Sequence, residues 1–375
     1  MNTKVIGTVC DKDMCAGCMA CIEVCSKGAI SIVDNLQSYN AIIDNDKCIQ
    51  CNMCHKVCPQ SNSAEYITPT SWKQGWANDS DERIKSSSGG YATAIAKAFT
   101  KNNGTVCSCV FKGGEFVFDF ATTIEECDNF RGSKYIKSSP EDVYKKIKDM
   151  LKDGKRILFI GLPCQVAGVK NFVGSKFFRN LYTVDLICHG TPSPKLLKMY
   201  LDKDIKIPVS EIDNIDFRKK TQYGLYCNNK KILPQRVQDR YTKAFLDGLD
   251  YTENCYNCKY ARVDRISDIS LGDAWGSSLP MQEKKKGISL ALCQTDKGNE
   301  LLEQADIYMT DIDRDIAIRS NRQLNSPSKK PDKRKSFYKK LNKYKNFKKA
   351  VAIAYPIECI KQDIKTYLYK LNILK

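Results

Sequence analysis

The sequence predicts a chain of the α+β and α/β classes, with a small cysteine-rich domain, a mixed α/β body and a basic helical C-terminal tail. Three observations predict this order along the 375 residues. A cysteine pattern repeats near the N-terminus, apolar runs alternate with helical patterns in the middle, and lysines dominate the end. The expected boundaries are a first domain at 1–62, a linker at 63–71, a body at 72–325 and an extension at 326–375.

The composition favours metal or redox chemistry in a reducing compartment. The chain has 19 cysteines, and its first residues lack the apolar core of a signal peptide, so we expect a cytoplasmic protein. The longest mostly apolar stretch, 157–169, contains Pro163 and is shorter than the ~18 residues of a membrane span. The net charge of +17 is uneven, because segment 321–375 carries 16 Lys and Arg against 3 Asp and Glu.

The first domain contains the spacing C-x2-C-x2-C-x3-C twice, and Pro59 follows the second copy. This spacing is typical of bacterial two-cluster ferredoxins, in which three close thiolates hold one 4Fe–4S cluster and the fourth ligand comes from the other copy. Short strands are expected at 29–33 and 39–43, and Gly17 and Gly28 suit tight turns. The predicted ligands are Cys15, Cys18, Cys21 and Cys58 for the first cluster, and Cys48, Cys51, Cys54 and Cys25 for the second.

Two other metal sites compete with this interpretation. Zinc takes four cysteines as well, but its sites usually use separated C-x2-C pairs rather than four cysteines within a short run. Cys51, Cys54 and His55 also spell the C-x-x-C-H motif of c-type haem attachment. Haem attachment requires export, and the repeat already accounts for both cysteines. The spacing therefore predicts two 4Fe–4S clusters.

The middle of the chain has the alternation of an α/β layer structure. Strands are predicted at 104–111, 115–120, 156–160 and 181–187, and helices at 91–101, 141–152, 165–172 and 194–201. The polar stretch 60–71 before them is a predicted linker. Nothing in the body matches the Walker A or G-x-G-x-x-G nucleotide fingerprints.

A serine- and glycine-rich loop at 86–90 directly precedes the helix predicted at 91–101. Hydroxyls, free amides and a helix N-terminus together suit a phosphate or pyrophosphate. An ordinary serine N-cap is the alternative. The loop alone does not decide between them.

The remaining cysteines fall into two groups. Cys164 and Cys188 end neighbouring predicted strands, and Cys255 and Cys258 form a C-x2-C pair before a strand at 268–272. Strand ends are where open α/β sheets place ligands, so these four thiols suffice for a third cluster or a zinc site if they converge. The others are expected to be small buried side chains: Cys10, Cys107, Cys109, Cys127, Cys227, Cys293 and Cys359.

Six stretches, in this order, resemble the family of coenzyme F-420 hydrogenase/dehydrogenase beta subunits with an N-terminal two-cluster ferredoxin. They are SSSGG at 86–90, RGSKYIKS at 131–138, GLPCQVAG at 161–168, DLICHGTPSP at 185–194, CYNC at 255–258 and DISLGDAWG at 268–276. The resemblance covers roughly residues 1–330. It implies a flavoprotein that binds FAD and at least one cluster in the body.

The resemblance also implies roles for individual residues. The FAD phosphates would be held by Ser87, Ser88, Gly89 and Gly90, and the flavin pocket would be lined by Gly132, Ser133, Lys134, Tyr135 and Ser138. The third cluster would be held by Cys164, Cys188, Cys255 and Cys258, unless Cys164 faces the flavin instead. His189 and Lys134 are the candidate catalytic residues, with a hydrogen bond to the cluster ligands as the alternative role of His189.

These parts predict an iron–sulfur flavoprotein oxidoreductase. A flavin exchanges a hydride with a small molecule as two electrons and passes them singly to clusters, which carry one electron each. A redox partner protein or a low-potential electron carrier would exchange electrons with the ferredoxin domain. The alternative is a non-catalytic subunit whose clusters serve a partner complex.

The tail after residue 326 combines lysines with aromatic residues, and positions 337, 341 and 344 recur at helical spacing. A basic helix packed on the body is the first interpretation. Docking to an acidic redox protein is the second, and peripheral contact with an anionic membrane is the third. Nucleic acid is not an expected partner, because no recognition motif accompanies the charge.

Overall fold

The two cysteine repeats form equivalent halves of a small N-terminal domain in the computed structural model, which describes residues 7–62 and 65–374. Each half has one short helix, α1 (Ala20–Val24) or α2 (Met53–Val57), preceded by a residue in the left-handed conformation. The strands β1 (Gly7–Thr8), β2 (Ile30–Asp34) and β3 (Tyr39–Ile43) form an antiparallel sheet in the order β1–β3–β2. The two strands predicted in this domain are confirmed.

The body contains two sheets. Its strands are β4 (Ser71–Ala77), β5 (Thr105–Lys112), β6 (Glu115–Ala121), β7 (Ile157–Gly161), β8 (Leu181–Leu186), β9 (Ile215–Lys219), β10 (Gln222–Cys227), β11 (Lys230–Lys231), β12 (Ile269–Asp273), β13 (Ser289–Cys293) and β14 (Ile307–Asp311). The large sheet has the order β14–β4–β13–β12–β8–β7–β5–β6, and β9 to β11 form the small one. Strands β5, β7, β8 and β12 are mutually parallel, so their carboxyl ends meet at one edge.

Helices cover this sheet and continue into the tail. In chain order they are α3 (Ser80–Lys85), α4 (Tyr91–Lys101), α5 (Tyr144–Lys152), α6 (Pro163–Val173), α7 (Pro194–Met199), α8 (Arg240–Leu246), α9 (Glu253–Tyr256), α10 (Met281–Lys286), α11 (Asp296–Gln304), α12 (Arg314–Ser320), α13 (Lys333–Tyr344), α14 (Phe347–Ala354) and α15 (Pro356–Lys370). Helix α7 runs into a π-helical turn at Tyr200–Ile205, which takes the place of the last turn predicted for 194–201. No described helix is both long and apolar enough to cross a membrane.

The tail helices complete a hydrophobic core of the body. Phe337, Leu341, Phe347 and Val351 from α13 and α14 are fully buried in one cluster with side chains of α7, α8 and the small sheet. The predicted helical character of the tail is confirmed. Helix α15 differs, because it leaves apolar side chains in solvent: Ile357, Ile360, Ile364 and Tyr367.

The predicted linker packs on the body instead of standing free. Ile67 exchanges two backbone hydrogen bonds with Arg265, and the Thr68 hydroxyl donates to Asp264 at 2.8 Å. Residues 63 and 64 of the predicted linker lie outside the described residues. Strand β4 then begins at Ser71, so the segment runs directly into the large sheet.

Candidate functional site

The first predicted cysteine set surrounds one cavity. Cys15, Cys18, Cys21 and Cys58 are all buried and line it together, although Cys58 comes from the second repeat. The backbone N–H of Gly17 points at the sulfur of Cys15, with an N–S distance of 3.4 Å. Such N–H···S contacts stabilise thiolate charge.

A fifth thiol faces the same cavity. Cys10 contacts the thiols of Cys15 and Cys58, and these hydrogen bonds hold the pKa of the Cys58 thiol below its ordinary value. The sequence analysis placed Cys10 among cysteines without a partner, and the structure does not agree. Cys10 lies before the repeated spacing, so no motif pointed to it.

The second set lies at the surface. Cys51 is exposed and Cys25, Cys48 and Cys54 are half-buried. The Gln50 N–H approaches the sulfur of Cys48 at 3.4 Å, which repeats the Gly17 contact of the first half. The two halves therefore share local geometry but differ in burial.

The third set also lines a single cavity. Cys164 lies in the first turn of α6 after β7, Cys188 follows β8, and Cys255 and Cys258 come from α9 and the loop after it. Because β7 and β8 are adjacent and parallel, their carboxyl ends bring the first two cysteines together. The four cysteines predicted for a third cluster therefore share the lining of one cavity.

The donor chemistry of these cavities suits iron–sulfur groups. Each set consists of cysteines, the ligands that soft metal sites and iron–sulfur clusters prefer. Burial raises the pKa of Cys164 to about 12 and of Cys258 to about 11, so both thiols need a bound cation to ionise at neutral pH. In the described ranges, no three His, Cys, Asp or Glu side chains meet closely enough to hold one metal ion.

His189 lies beside Cys188 and lines the third cavity, and it is exposed to solvent. Its backbone carbonyl accepts a hydrogen bond from Ser328 at 2.6 Å. Because His189 is exposed, a small molecule at the mouth of this cavity can reach its imidazole.

The serine–glycine loop meets the RGSK segment, as expected if both serve one ligand. The Ser133 N–H donates to the Ser87 hydroxyl at 2.8 Å. Two other polar groups of the loop are already used by the fold, because Ser88 donates to the Ile288 carbonyl and Gly89 donates to the Ser289 hydroxyl. Lys220, which the sequence analysis missed, donates to the Ser88 carbonyl at 3.0 Å.

The glycines of this loop have packing roles. A Cβ on Gly89 would lie 2.4 Å from the Gly75 carbonyl oxygen of β4, which no side chain tolerates. Gly90 has φ 99° at the N-cap of α4. Close packing between strands therefore accounts for Gly89 without any ligand.

A cavity of about 710 Å³ opens beside this loop. It is lined by cationic side chains, namely Lys85, Lys112, Arg131, Lys134, Arg218 and Lys219, and by Asp119, Asp128, Asp213 and Asp216. Its volume is within the usual range for a cofactor. Of the predicted pocket residues, Lys134 is the one in its described lining, and its ammonium donates to the carbonyls of Phe130 and Arg131.

Glu82 fixes the RGSK segment to α3. Burial disfavours its charge, but ion pairs with Arg131 and Lys97 outweigh burial and hold the pKa of Glu82 at about 2. Gly132, next to Arg131, has φ 82°, as its glycine identity allows. The segment is thus positioned by a buried charge network that the sequence did not predict.

Tyr135 and Ser138 are absent from the described lining of the large cavity and pack against neighbours of the third cysteine set. The Tyr135 ring stacks on Phe245 at 4.3 Å, and Phe245 belongs to an apolar cluster with Tyr251 and Cys255. Ser138 is buried and accepts a hydrogen bond from Gln165 of α6 at 3.1 Å. The segment therefore extends from the cationic cavity to the third cysteine set.

The first and third cavities adjoin each other. Gln60 lines both of them, and the Tyr260 hydroxyl of the body donates to the Pro59 carbonyl at 3.0 Å. A Cβ on Gly168 of α6 would lie 3.3 Å from the sulfur of Cys18. Cys164 lies one turn earlier on α6, about 6 Å from Gly168 along the helix axis, so this helix contacts both sets.

Comparisons with known proteins agree with both parts of the chain. Residues 14–62 match the family model of the 4Fe-4S dicluster domain, and residues 154–313 match the model of the C terminus of the beta subunit of coenzyme F420 hydrogenase/dehydrogenase. One component of the F(420)H(2) dehydrogenase of Methanosarcina mazei, the subunit designated F, is 22% identical over 291 residues, which cover 72% of this chain and 80% of the relative.

A solved structure also resembles the chain. It is a chain of the F420-reducing NiFe hydrogenase complex of Methanosarcina barkeri, with a TM-score of 0.45 and 18% identity. The match covers 71% of this chain and 97% of that one.

Proposed function

We propose that this chain, which belongs to the family of coenzyme F-420 hydrogenase/dehydrogenase beta subunits and carries an N-terminal 4Fe–4S dicluster domain, is an iron–sulfur flavoprotein oxidoreductase. It passes electrons between a hydride substrate and a redox partner. Bound FAD would supply hydride exchange, and bound 4Fe–4S clusters would supply one-electron transfer.

The adjacency of the first and third cysteine cavities carries the proposal. A third cluster on Cys164, Cys188, Cys255 and Cys258 lies next to the first ferredoxin set, with Gln60 in the lining of both cavities. The second set then forms the surface end of the series, since Cys51 is exposed. The arrangement supports electron transfer in the order third, first and second cluster.

The FAD component is supported by the cationic cavity and the segment beside it. Six Lys and Arg side chains and four Asp side chains line a volume of about 710 Å³, which is large enough for a cofactor. The aromatic contact from Tyr135 through Phe245 leads from this segment to Cys255. Ser87 and Ser133 are hydrogen-bonded to each other and are the loop residues best placed to serve one ligand.

The roles of two polar side chains follow from their positions. Lys134 keeps the RGSK segment in shape through two backbone carbonyls and presents its charge to the cavity. His189 stands at the exposed mouth of the third cavity, where an imidazole can donate a hydrogen bond or move a proton. The hydride substrate is a small molecule, for which the coenzyme F420 in the names of the relatives is one candidate.

Anaerobic purification followed by cofactor analysis tests the proposal. We expect flavin absorption and about 12 Fe per chain, from three four-iron clusters. Reduced F-420, NADH and other hydride donors would then be screened for reduction of the clusters, which is detected by the bleaching of their visible absorption. Protein that binds no FAD after reconstitution would contradict the flavoprotein assignment.

A second function is favoured by the internal hydrogen bonds of the serine–glycine loop. Because Ser88 and Gly89 are paired with β13 and the residue before it, the loop holds its shape without a phosphate. The protein would then be an electron-transfer subunit that docks its clusters onto a partner complex. That function predicts full iron content, no flavin and no turnover of any hydride donor.

A further inference from the structure

Lys137 occupies the junction between two cysteine sets. Its side chain is 4% exposed, and its ammonium donates to the Ala16 carbonyl, between Cys15 and Gly17, at 3.0 Å. The same residue lines the third cavity together with Cys164, Cys188, Cys255 and Cys258. One lysine thus contacts the first set and lines the third.

The surroundings of Lys137 offer little to balance its charge. Within the described parts of the chain, its ammonium forms no ion pair with a carboxylate and has the Ala16 carbonyl as its hydrogen-bond acceptor. Arg265, another buried cation of the third cavity, is by contrast neutralised by Asp185 at 2.5 Å. Burying an unpaired ammonium is costly, so a negative group at this junction would offset the cost.

The neighbouring thiols can supply that negative charge. The Lys137 ammonium is bound at the turn that carries Cys15 and lies in the lining that also holds Cys164. A 4Fe–4S group with four thiolates carries a net negative charge, which becomes more negative on reduction. A fixed cation between two such groups stabilises the reduced form of each.

We propose that Lys137 is an electrostatic positioning residue shared by the first and third clusters, which raises the reduction potential of both. The proposal rests on the cluster assignments made above. It adds that one buried charge acts on the reduction potentials of both of these clusters and not on that of the second cluster. The ring of Tyr39, 5.1 Å from the ammonium, and the close approach of Gly17 hold the side chain in place.

The test compares Lys137→Met with Lys137→Arg in the full-length, anaerobically reconstituted protein. Redox titration followed by electron paramagnetic resonance measures each cluster, with signals assigned by their loss in Cys58→Ser, Cys51→Ser and Cys255→Ser variants. We expect Lys137→Met to shift the first and third potentials to more negative values and to leave the second unchanged. Lys137→Arg keeps the charge and should restore most of the shift.

Lys12→Met is the matched control, because Lys12 is an exposed lysine of the ferredoxin domain and its replacement removes the same charge. Unchanged potentials in Lys137→Met, or equal shifts of all three clusters, would overturn the proposal. Equal loss of iron in the Met and Arg variants would also overturn it, because it would indicate a steric role. A wild-type chain without a third cluster would instead count against the function proposed above, and the first cluster would still test Lys137.

Discussion

At the scale of single residues, five thiols surround the first cavity, whereas a 4Fe–4S cubane has four cysteine ligands. Cys10 touches Cys15 and Cys58 but lies outside the repeated spacing. The spacing identifies the ligands because three thiols on one turn and a fourth from the other repeat are positioned by the backbone. Cys10 is then a thiol that donates to the sulfurs of its neighbours.

We predict that Cys10→Ala retains the first cluster and Cys58→Ala loses it. Removing a donor to ligand sulfur leaves four thiolates in place, whereas removing a ligand opens one corner of the cubane. Iron analysis should show unchanged iron in the first variant and about four Fe fewer in the second. If Cys58→Ala kept its iron and the Cys10→Ala/Cys58→Ala double variant lost it, Cys10 would be a ligand.

The repeated cysteines could be assigned from the sequence, because each copy of their spacing lies within one short stretch of the chain. Each half carries its own turn, with positive φ at Gly17 and Gln50 and the same N–H···S contact. The sequence alone could not explain why residue 89 is glycine. A Cβ at Gly89 would clash with Gly75 and Ser289, which belong to other segments of the chain. Lys137 and Cys10 were missed for the same reason, since only tertiary contacts place them at a cavity.

At the scale of elements, α6 connects two of the sites. Its first turn carries Cys164, and Gly168 lets it approach Cys18 closely. The sequence predicted a helix at 165–172, and the structure extends it to Pro163–Val173. The strands β4, β13 and β14 were not predicted; β4 pairs antiparallel with both β13 and β14, so contacts between distant segments define this side of the large sheet.

The tail helices give a contrast between buried and exposed apolar side chains. We expect Phe347→Ala on α14 to cost about 3–5 kcal/mol, because its ring is fully buried against Tyr200 and Tyr241. Ile364→Ala on α15 should change stability by about 0.5 kcal/mol or less, since Ile364 is 54% exposed. Anaerobic denaturant unfolding followed by circular dichroism measures both. Equal losses of stability in the two variants would mean that α15 is buried against another surface, or that α14 is not part of the core.

At the scale of the whole molecule, the three cysteine sets form a series from the interior of the body to the surface. The third set adjoins the first, the first is buried, and the second reaches solvent at Cys51. The cysteines predicted for the first and third sets line one cavity each, with Cys10 as an additional thiol in the first. The sequence did not predict the order of the sets in space, because the docking of the ferredoxin domain on α6 and Tyr260 depends on contacts between distant segments.

This series predicts the behaviour of a Cys255→Ser/Cys258→Ser variant. We expect it to lose about four Fe and to keep the ferredoxin clusters, because their ligands are elsewhere in the chain. A hydride donor should still reduce its flavin, but the ferredoxin clusters should reduce far more slowly than in the wild type. Stopped-flow absorbance measures both steps, and dithionite confirms that the remaining clusters are competent. Unchanged iron would assign these two thiols a structural role.

The unequal burial of the two ferredoxin halves has a consequence for the handling of the protein. Iron–sulfur groups are destroyed from outside by dioxygen, and the half with exposed Cys51 and with Ile49 at 59% exposure offers the open approach. The surface through which we propose electron exchange with a partner is therefore also the surface where we expect damage by dioxygen to begin. A bound partner would cover this surface and would therefore protect the second set from dioxygen.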